Sequence, residues 1–345
     1  MKQSVALIYG GKGFEREVSL SGSEFVLPLI NKEKYIPIPI FISEDGRWLI
    51  CRKHGNFYRP EKEIDSVCAA IINCGDHGGI VAYGEVIRID IAFPLLHGDF
   101  GEDGVVQGAL ANANIPYVGE NLFVSALCLD KVFTRKIAEE LLIPGADWCS
   151  FARDACIEDA EIISKEKIGY PMLLKPRAMG SSAGIGRANN HDEFIEAFLN
   201  ASDFADGRVL IESCIDIDSE LEMGVLRKDG DYIFTGIGKI SNDSGFYDYN
   251  EKYAHNSVAS VDPTPIIDKK TEEKIKYFSG LLVNALEIRS LARIDFFLDK
   301  SGEIYFNEIN TMPGFTAKSL YPSLVSGVGI PPEELIDILI KGARV

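Results

Sequence analysis

The stretch Arg293–Asn310, RIDFFLDKSGEIYFNEIN, has the pattern of a β-hairpin in which two apolar runs flank a turn. The segment Asp299–Gly302 has the composition of that turn. Side chains alternate between the two faces of a strand, so residues two apart share a face. One face of the hairpin is therefore expected to carry four polar side chains among apolar neighbours: Arg293, Asp295, Glu308 and Asn310.

The loop determines which residues of this hairpin face each other. A loop of two or four residues centred on Lys300-Ser301 places Arg293 opposite Glu308 and Asp295 opposite Phe306. Neighbouring carboxylates repel each other unless a cation lies between them. Carboxylate and amide oxygens suit Mg²⁺, and a guanidinium suits a developing anion. The hairpin therefore predicts a metal and phosphate site, and the alternative is a solvated face with structural ion pairs.

A second candidate site is the glycine- and serine-rich segment Gly180–Gly186, which follows an expected strand ending at Lys175. Small residues let backbone N–H groups converge on phosphate oxygens, and a lysine adds a positive charge. The segment is neither a Walker A motif nor a Rossmann fingerprint, so a flexible hairpin is the alternative. Together with the hairpin's carboxylates, it is a candidate cover for phosphates.

A third candidate is Gly10–Ser19, GGKGFEREVS, after the expected first strand Ser4–Tyr9. Arg16 stands where a dinucleotide fingerprint needs its third glycine, so binding of NAD is not favoured. Glu15 could hold a substrate ammonium, or it could only favour a helix N-terminus. His97 follows another expected strand and is either a site residue or a packed imidazole.

The N-terminal third alternates strands with helices, which predicts a mostly parallel sheet with its ligand site beyond the strand C-termini. Pro37 and Pro39 place the strand Tyr35–Ile42 near a sheet edge, because each removes a ladder donor. The stretch Ser241–Ser260 is polar, aromatic and without periodicity, which is typical of a functional lid or of a disordered segment.

The charge of the chain argues against two classes of partner. Its 35 Lys and Arg against 52 Asp and Glu give a net charge of −17, so binding of nucleic acid or anionic membranes is not expected.

No apolar run approaches the ~20 residues that span a bilayer, and the N-terminus lacks the features of a signal peptide. The seven scattered cysteines are typical of free thiols in a reducing cytoplasm.

Seven motifs occur in order along the chain: GGKGFEREVSLSG, LLHGDFGEDGVVQG, SALCLDK, LLKPRAMGSSAG, VLIES, FYDYNEKY and RIDFFLDKSGEIYFNEINTMPGFTAKSLYP. D-alanine–D-alanine ligases of the ATP-grasp superfamily have such motifs in this order, and the chain resembles that family over nearly its whole length. The resemblance implies an α/β fold in which an N-terminal parallel-sheet domain precedes central and C-terminal domains that clasp ATP. The implied boundaries are 1–120, 121–215 and 216–345, with a lid loop at 241–260.

The resemblance also implies a reaction and its requirements. Two D-alanines would be joined at the expense of ATP through an acylphosphate, in a cytoplasmic step of peptidoglycan synthesis that maintains cell shape. Two Mg²⁺ or Mn²⁺ ions and a homodimer are expected. The implied metal ligands are Asp295, Glu308 and Asn310. The implied ATP contacts are Lys131, Lys175, Glu212, Glu220 and Lys252.

By the same resemblance, Glu15, Ser181 and Tyr253 form a linked set that orients the first D-alanine. Arg293 and the backbone N–H of Gly314 would stabilise the oxyanion of the tetrahedral intermediate. His97 would lie near the substrates, and Ser319 would hold the carboxylate of the second substrate with Leu320 beside it.

Alternatives remain at the acceptor. Vancomycin-resistance ligases join D-alanine to D-serine or D-lactate, and several motifs here resemble theirs. The D-lactate type lacks the Glu251–Tyr253 triplet present here, and the D-serine type tends to carry Arg where this chain has Leu320. D-alanine is therefore the expected acceptor. Ser213 and Lys318 depart from the family pattern, which leaves one nucleobase contact and one substrate contact open.

Functions from other classes are less well supported by the sequence. A nucleotide-binding regulator without catalysis would not need the full set of hairpin side chains, because a binder needs fewer groups for a transition state. An NAD-dependent oxidoreductase is not favoured, because this chain lacks the third glycine of the dinucleotide fingerprint.

Overall fold

The computed structural model describes residues 2–59, 65–204, 206–241 and 260–345. These residues form four sheets with helices packed on them, so the predicted α/β class is confirmed. No helix of the described ranges is both long and apolar enough to cross a membrane.

The first part of the chain is built on a six-stranded sheet in the order β4-β3-β2-β1-β9, with β5 beside β3. Strand β1 pairs in parallel with β2 and β9, as the alternating pattern predicts. A separate three-stranded sheet, β6-β7-β8, was not expected from the sequence. The elements are β1 Gln3–Gly10, α1 Arg16–Leu29, β2 Tyr35–Ile42, β3 Trp48–Lys53, β4 Asn56–Tyr58, β5 Val67–Cys68, β6 Ala70–Asn73, β7 Gly78–Ala82, β8 Glu85–Ile89, β9 Ile91–Pro94, α2 Gly98–Gly101 and α3 Val105–Asn112.

Strand β2 does not lie at the edge of its sheet, which corrects part of the prediction from its prolines. Its C-terminal half, Ile40–Ile42, pairs with β3. Its N-terminal half, with Pro37 and Pro39, pairs with β1 alone. The prolines are tolerated because that half has a neighbour on one side only, so a missing N–H leaves no ladder bond unmade.

The middle of the chain contains an antiparallel four-stranded sheet, β10-β13-β11-β12. Helix α5 begins where Asp130 accepts hydrogen bonds from the N–H groups of Val132 and Phe133, as an N-cap residue does. Helices α4 and α5 contact the last strand of the next sheet. The elements are α4 Leu122–Leu129, α5 Lys131–Glu140, β10 Trp148–Phe151, α6 Ile157–Lys167, β11 Met172–Pro176, β12 Gly186–Ala188, α7 His191–Ser202 and β13 Val209–Ser213.

The last part contains an antiparallel five-stranded sheet, β16-β15-β14-β17-β18. One apolar core joins the first sheet to the last two helices: Leu7 and Phe93 share it with Phe315, Tyr321 and Leu339. The C-terminal helices therefore lie against the N-terminal sheet. The elements are β14 Ile217–Lys228, β15 Asp231–Ser241, β16 Ser260–Asp262, α8 Lys269–Ala285, β17 Leu291–Asp299, β18 Ile304–Asn310, α9 Leu320–Gly327 and α10 Pro332–Gly342.

The hairpin of β17 and β18 has the predicted polar face but not the predicted pairing. Asp295 lies opposite Glu308, rather than Phe306, and Arg293 lies opposite Asn310, rather than Glu308. Residues that face each other across a pair of strands point to the same side of the sheet. Arg293, Asp295, Glu308 and Asn310 therefore share one face, as predicted.

Two features of the backbone explain the wrong pairing. The loop has three residues, Lys300–Gly302, since the N–H of Asp299 bonds to the carbonyl of Glu303 and Gly302 adopts φ 88°. The register then shifts by one between Asp295 and Phe296, because Asn307 is the extra residue of a β-bulge. The loop and the bulge each move the pairing by one residue, so Arg293 pairs with Asn310 instead of Glu308. Because side chains alternate between faces, a shift of two residues leaves the same side chains on the same face.

Candidate active site

The polar face of the hairpin is a hydrogen-bonded group around Asp295, which is its most buried member. The guanidinium of Arg293 donates to Asp295 from Nε at 2.8 Å and from Nη2 at 2.7 Å. The amide Nδ2 of Asn310 donates to Oδ2 of Asp295 at 3.0 Å. Glu222 of β14 adds a second carboxylate, 2.9 Å from Nε of Arg293. Glu222 was not among the predicted site residues.

Arg293 is a permanent positive charge in this position. Burial alone would lower its pKa, but the carboxylates of Asp295 and Glu222 raise the pKa of Arg293 well above its usual value. A guanidinium held in this way can stabilise an anion that forms beside it.

Two adjoining clefts meet at Glu308. The glycine-loop cleft lies between Gly180–Ile185 and the two antiparallel sheets, and apolar side chains such as Leu173, Ile215 and Phe297 line it. The Glu15 cleft lies between the first βα turn and the C-terminal loop 310–320. The residues that line both clefts are Lys131, Met179, Gly180 and Glu308.

The glycine-loop cleft contains most of the residues predicted to contact ATP: Lys131, Lys175, Glu212 and Glu220 all line it. Lys131 Nζ lies 3.4 Å from Oε2 of Glu308. Ser213, which departs from the family pattern, also lines this cleft. Apolar walls with two lysines at one end suit a flat ring system that carries phosphates.

Glu212 is held between two cations and is almost fully buried. Nε of Arg135 lies 2.6 Å from its Oε1, and Lys175 contacts its Oε2. Burial alone would raise its pKa, but Arg135 and Lys175 lower the pKa of Glu212 to about 2. The carboxylate therefore orients Lys175 toward the cleft. Arg135 was missed in the sequence because an Arg on an amphipathic helix has no distinctive spacing.

Glu15 and Ser181 are in direct contact in the Glu15 cleft. Oγ of Ser181 donates to Oε1 of Glu15 at 2.5 Å. Two glycines make room for the carboxylate, since a Cβ at Gly98 would lie 2.3 Å and one at Gly180 2.7 Å from Oε2 of Glu15. Glu15 and Ser181, two of the three residues predicted to be linked, are therefore in contact. Tyr253, its third member, and Lys252 lie outside the described residues.

His97 and Glu102 hold the backbone of Met312 from both sides. Nδ1 of His97 lies 2.9 Å from the carbonyl oxygen of Met312, and the N–H of Met312 donates to Oε1 of Glu102 at 2.9 Å. Glu102 also accepts from Thr311 Oγ1 and from the N–H of Gly98. Burial lowers the pKa of His97, and Nδ1 is the donor because its partner is a carbonyl oxygen. Sequence reasoning missed Glu102, although it lies in the motif LLHGDFGEDGVVQG.

The far end of the Glu15 cleft contains Gly314, Ser319 and Leu320. A Cβ at Gly314 would lie 2.9 Å from Oγ of Ser319, so only glycine lets this backbone approach the hydroxyl so closely. Leu320 is buried in a small apolar cluster with Ile240 and Leu324. Lys318, the other departure from the family pattern, is exposed at the rim of the same cleft.

Among the described residues, no three acidic, histidine or cysteine side chains form a group that could hold a metal ion. Any metal site here would therefore need other ligands as well. The hairpin offers two carboxylates and one amide, all oxygen donors, at the point where the two clefts meet. Hard oxygen donors beside a cleft that is lined by two lysines fit Mg²⁺, which takes its other ligands from water and phosphates.

Family models match most of the chain. The model described as D-ala D-ala ligase N-terminus matches residues 4–120, and the one described as D-ala D-ala ligase C-terminus matches residues 137–341. A D-alanine–D-alanine ligase of Thermoanaerobacter sp. is 37% identical to this chain, over 99% of the chain and 96% of the relative. The D-alanine–D-alanine ligase of Bacillus cytotoxicus is 38% identical, over 99% and 95%.

Solved structures of such ligases have the same fold. The VanG D-Ala:D-Ser ligase from Enterococcus faecalis superposes with a TM-score of 0.86 at 32% identity, over 99% of both chains. The D-alanine–D-alanine ligase from Coxiella burnetii gives 0.84 at 26% identity, over 99% of this chain and 93% of the other. The fold is the ATP-grasp fold expected from the motifs, and the chain belongs to the D-alanine–D-alanine ligase family.

Proposed function

We propose that this chain joins two D-alanines to D-alanyl-D-alanine at the expense of ATP. The observation that carries the proposal is the meeting of the two clefts at Glu308. One cleft has apolar walls and buried lysines, as a nucleotide requires. The other offers Glu15, His97, Arg293 and Ser319, which are groups that recognise an ammonium, a carbonyl or a carboxylate. Nucleotide and amino acids would therefore meet at the hairpin.

The reaction has two steps. A carboxylate oxygen of the first D-alanine attacks the γ-phosphorus of ATP, ADP leaves, and an acylphosphate forms. The amine of the second D-alanine then attacks the acyl carbon, loses a proton, and expels phosphate. Phosphoryl transfer depends mainly on positioning and positive charge. Lys131 and Lys175 supply that charge in the nucleotide cleft.

Each remaining residue has a role that its contacts support. Glu15, oriented by Ser181, holds the ammonium of the first D-alanine. Arg293 and the N–H of Gly314 stabilise the oxyanion during the second step. Ser319 holds the carboxylate of the second D-alanine, with Leu320 beside its methyl group. Asp295, Glu308 and Asn310 would hold Mg²⁺ or Mn²⁺, and two bound ions would neutralise charge on the phosphates.

Further parts of the proposal rest on the resemblance alone. Tyr253 and Lys252 belong to a lid loop at 241–260. Tyr253 completes the set of Glu15 and Ser181, and Lys252 contacts ATP. The domain boundaries are 1–120, 121–215 and 216–345. The enzyme works in the cytoplasm as a homodimer, which light scattering of the purified protein would test.

The test is an acceptor screen with ATP and Mg²⁺. Phosphate release should require D-alanine, and mass spectrometry should detect D-alanyl-D-alanine. Release without D-alanine, or none with it, would contradict the proposal. D-serine is the second candidate acceptor, since the VanG D-Ala:D-Ser ligase superposes so closely. Dominant D-alanyl-D-serine from equal concentrations of both acceptors would establish that alternative.

A further inference from the structure

Arg135 is one of the most deeply buried charged residues of the described chain, and it lines neither cleft. It lies on α5, with its guanidinium 5.4 Å from the ring centroid of Phe306. Its Nε is paired with Glu212 at 2.6 Å. An arginine buried at this depth is stable only if its donors are satisfied, so its other partners show what it holds.

Those partners are the backbone of the β-bulge. Nη1 of Arg135 donates to the carbonyl of Phe306 at 2.7 Å and to the carbonyl of Asn307 at 2.6 Å. The N–H of Phe306 donates to the carbonyl of Pro144 at 2.7 Å. A bulge disrupts the hydrogen-bond ladder and leaves backbone groups that need other partners. Arg135 is the partner of two such groups, the carbonyls of Phe306 and Asn307.

The bulge decides where Glu308 points. On the turn side of the hairpin, Phe296 lies opposite Phe306. If that register continued without a bulge, Asn307 would lie opposite Asp295. A slip of one residue turns every side chain to the other face of a strand. Glu308 and Asn310 would then point away from Asp295.

We infer that Arg135 is a positioning residue that holds the bulge at Asn307 and so turns Glu308 and Asn310 toward Asp295. The inference rests on the proposed function, because it matters only if these side chains hold the metal. Arg135 acts on the backbone of β18 from behind and does not touch the substrates.

The test uses Arg135→Met and Arg135→Lys in the full chain. Lysine keeps the charge beside Glu212, but one ammonium group cannot reproduce the planar fork in which Nε binds Glu212 while Nη1 binds both carbonyls. We expect the Mn²⁺ concentration for half-maximal phosphate release to rise ~10- to 100-fold in Arg135→Met, and less in Arg135→Lys. The KM for D-alanine should stay within about twofold, because no amino-acid contact is removed.

Hydrogen exchange supplies a readout that is independent of activity. Backbone amides of β18 (Ile304–Asn310) should exchange faster in both variants, whereas those of β1 (Gln3–Gly10) should not. Arg289→Met is the matched control, since Arg289 also donates to backbone carbonyls, those of Gly119 and Val345. Its loss should leave the Mn²⁺ requirement and the exchange of β18 unchanged.

The outcomes separate this inference from the proposed function. If Arg135→Lys keeps the wild-type Mn²⁺ requirement and the wild-type exchange of β18, the inference is wrong, even where Arg135→Met fails to fold. If Glu308→Gln leaves the Mn²⁺ requirement unchanged, the metal assignment fails first. If the wild type releases no phosphate with D-alanine, the proposed function fails, while exchange at β18 still reports whether Arg135 holds the bulge.

Discussion

Oγ of Ser181 donates a hydrogen bond of 2.5 Å to Oε1 of Glu15 across 166 residues of sequence. The contact joins the glycine-rich segment to the first βα turn. Ser181 has φ 53°, a left-handed conformation that is uncommon for a residue with a side chain. The segment over the glycine-loop cleft is thus held in a strained turn that brings the Ser181 hydroxyl to the Glu15 carboxylate, which we propose binds D-alanine.

Ser181→Ala should impair the use of D-alanine more than the binding of ATP. A hydrogen bond to a charged group contributes ~1.5–3 kcal/mol, so kcat/KM for D-alanine should fall about 10- to 100-fold. Ser326→Ala is the control, because its Oγ donates only to the carbonyl of Pro322 on α9. Steady-state kinetics with each substrate varied in turn would check this. A change confined to the KM for ATP would contradict the assignment of Glu15.

Glu308→Gln should lower turnover by roughly a hundredfold or more while the fold is retained. The change removes a negative charge from the hairpin face that is proposed to hold the metal. Glu303→Gln is a matched control on the same hairpin, since Glu303 is exposed and paired with Lys274. Turnover at saturating ATP and Mg²⁺, with circular dichroism for the fold, is the measurement. Near-normal turnover in Glu308→Gln would rule out the metal assignment.

Leu320 should set the preference for D-alanine as acceptor. A serine hydroxyl placed against Leu320 and Ile240 would lack a partner, which costs ~1–3 kcal/mol, so D-serine should be about 10- to 100-fold poorer. Leu320→Arg introduces a donor and should narrow this gap, whereas Leu320→Met should preserve it. Competition between equal D-alanine and D-serine, with products quantified by mass, gives the ratio. An unchanged ratio in Leu320→Arg would place the specificity elsewhere.

Glu102 should make stability fall as the pH rises. Burial raises its pKa to about 7, against an ordinary value of 4.5. Between these two values the folded state binds more protons than the unfolded state, so the free energy of unfolding declines with rising pH. Its contribution is fully present below about pH 4.5 and is lost as the pH passes 7. Urea unfolding of the wild type and Glu102→Gln from pH 5 to pH 8 should show a shallower decline in the variant; equal slopes would argue against a raised pKa.

The sequence by itself was enough to identify the hairpin and the four polar side chains on one of its faces. The strict alternation of R-x-D and E-x-N across an evident turn is a local property, because side chains on a strand alternate whatever lies around it. The shared face of Arg293, Asp295, Glu308 and Asn310 followed from it, and so did the family. Sequence order likewise placed Glu15 and His97 at the ends of parallel strands, where ligands bind.

Only the tertiary structure decided the register of the hairpin and the contacts that hold the site. The prediction paired Arg293 with Glu308, because neither a three-residue loop nor a bulge can be inferred from alternation alone. The two carbonyls of the bulge accept hydrogen bonds from Arg135, which lies on a helix more than 150 residues earlier. Glu102 was equally hidden, since its partners Thr311 and Met312 are distant in sequence. A buried polar group needs a partner wherever the chain can bring one, and that choice depends on packing rather than on local pattern.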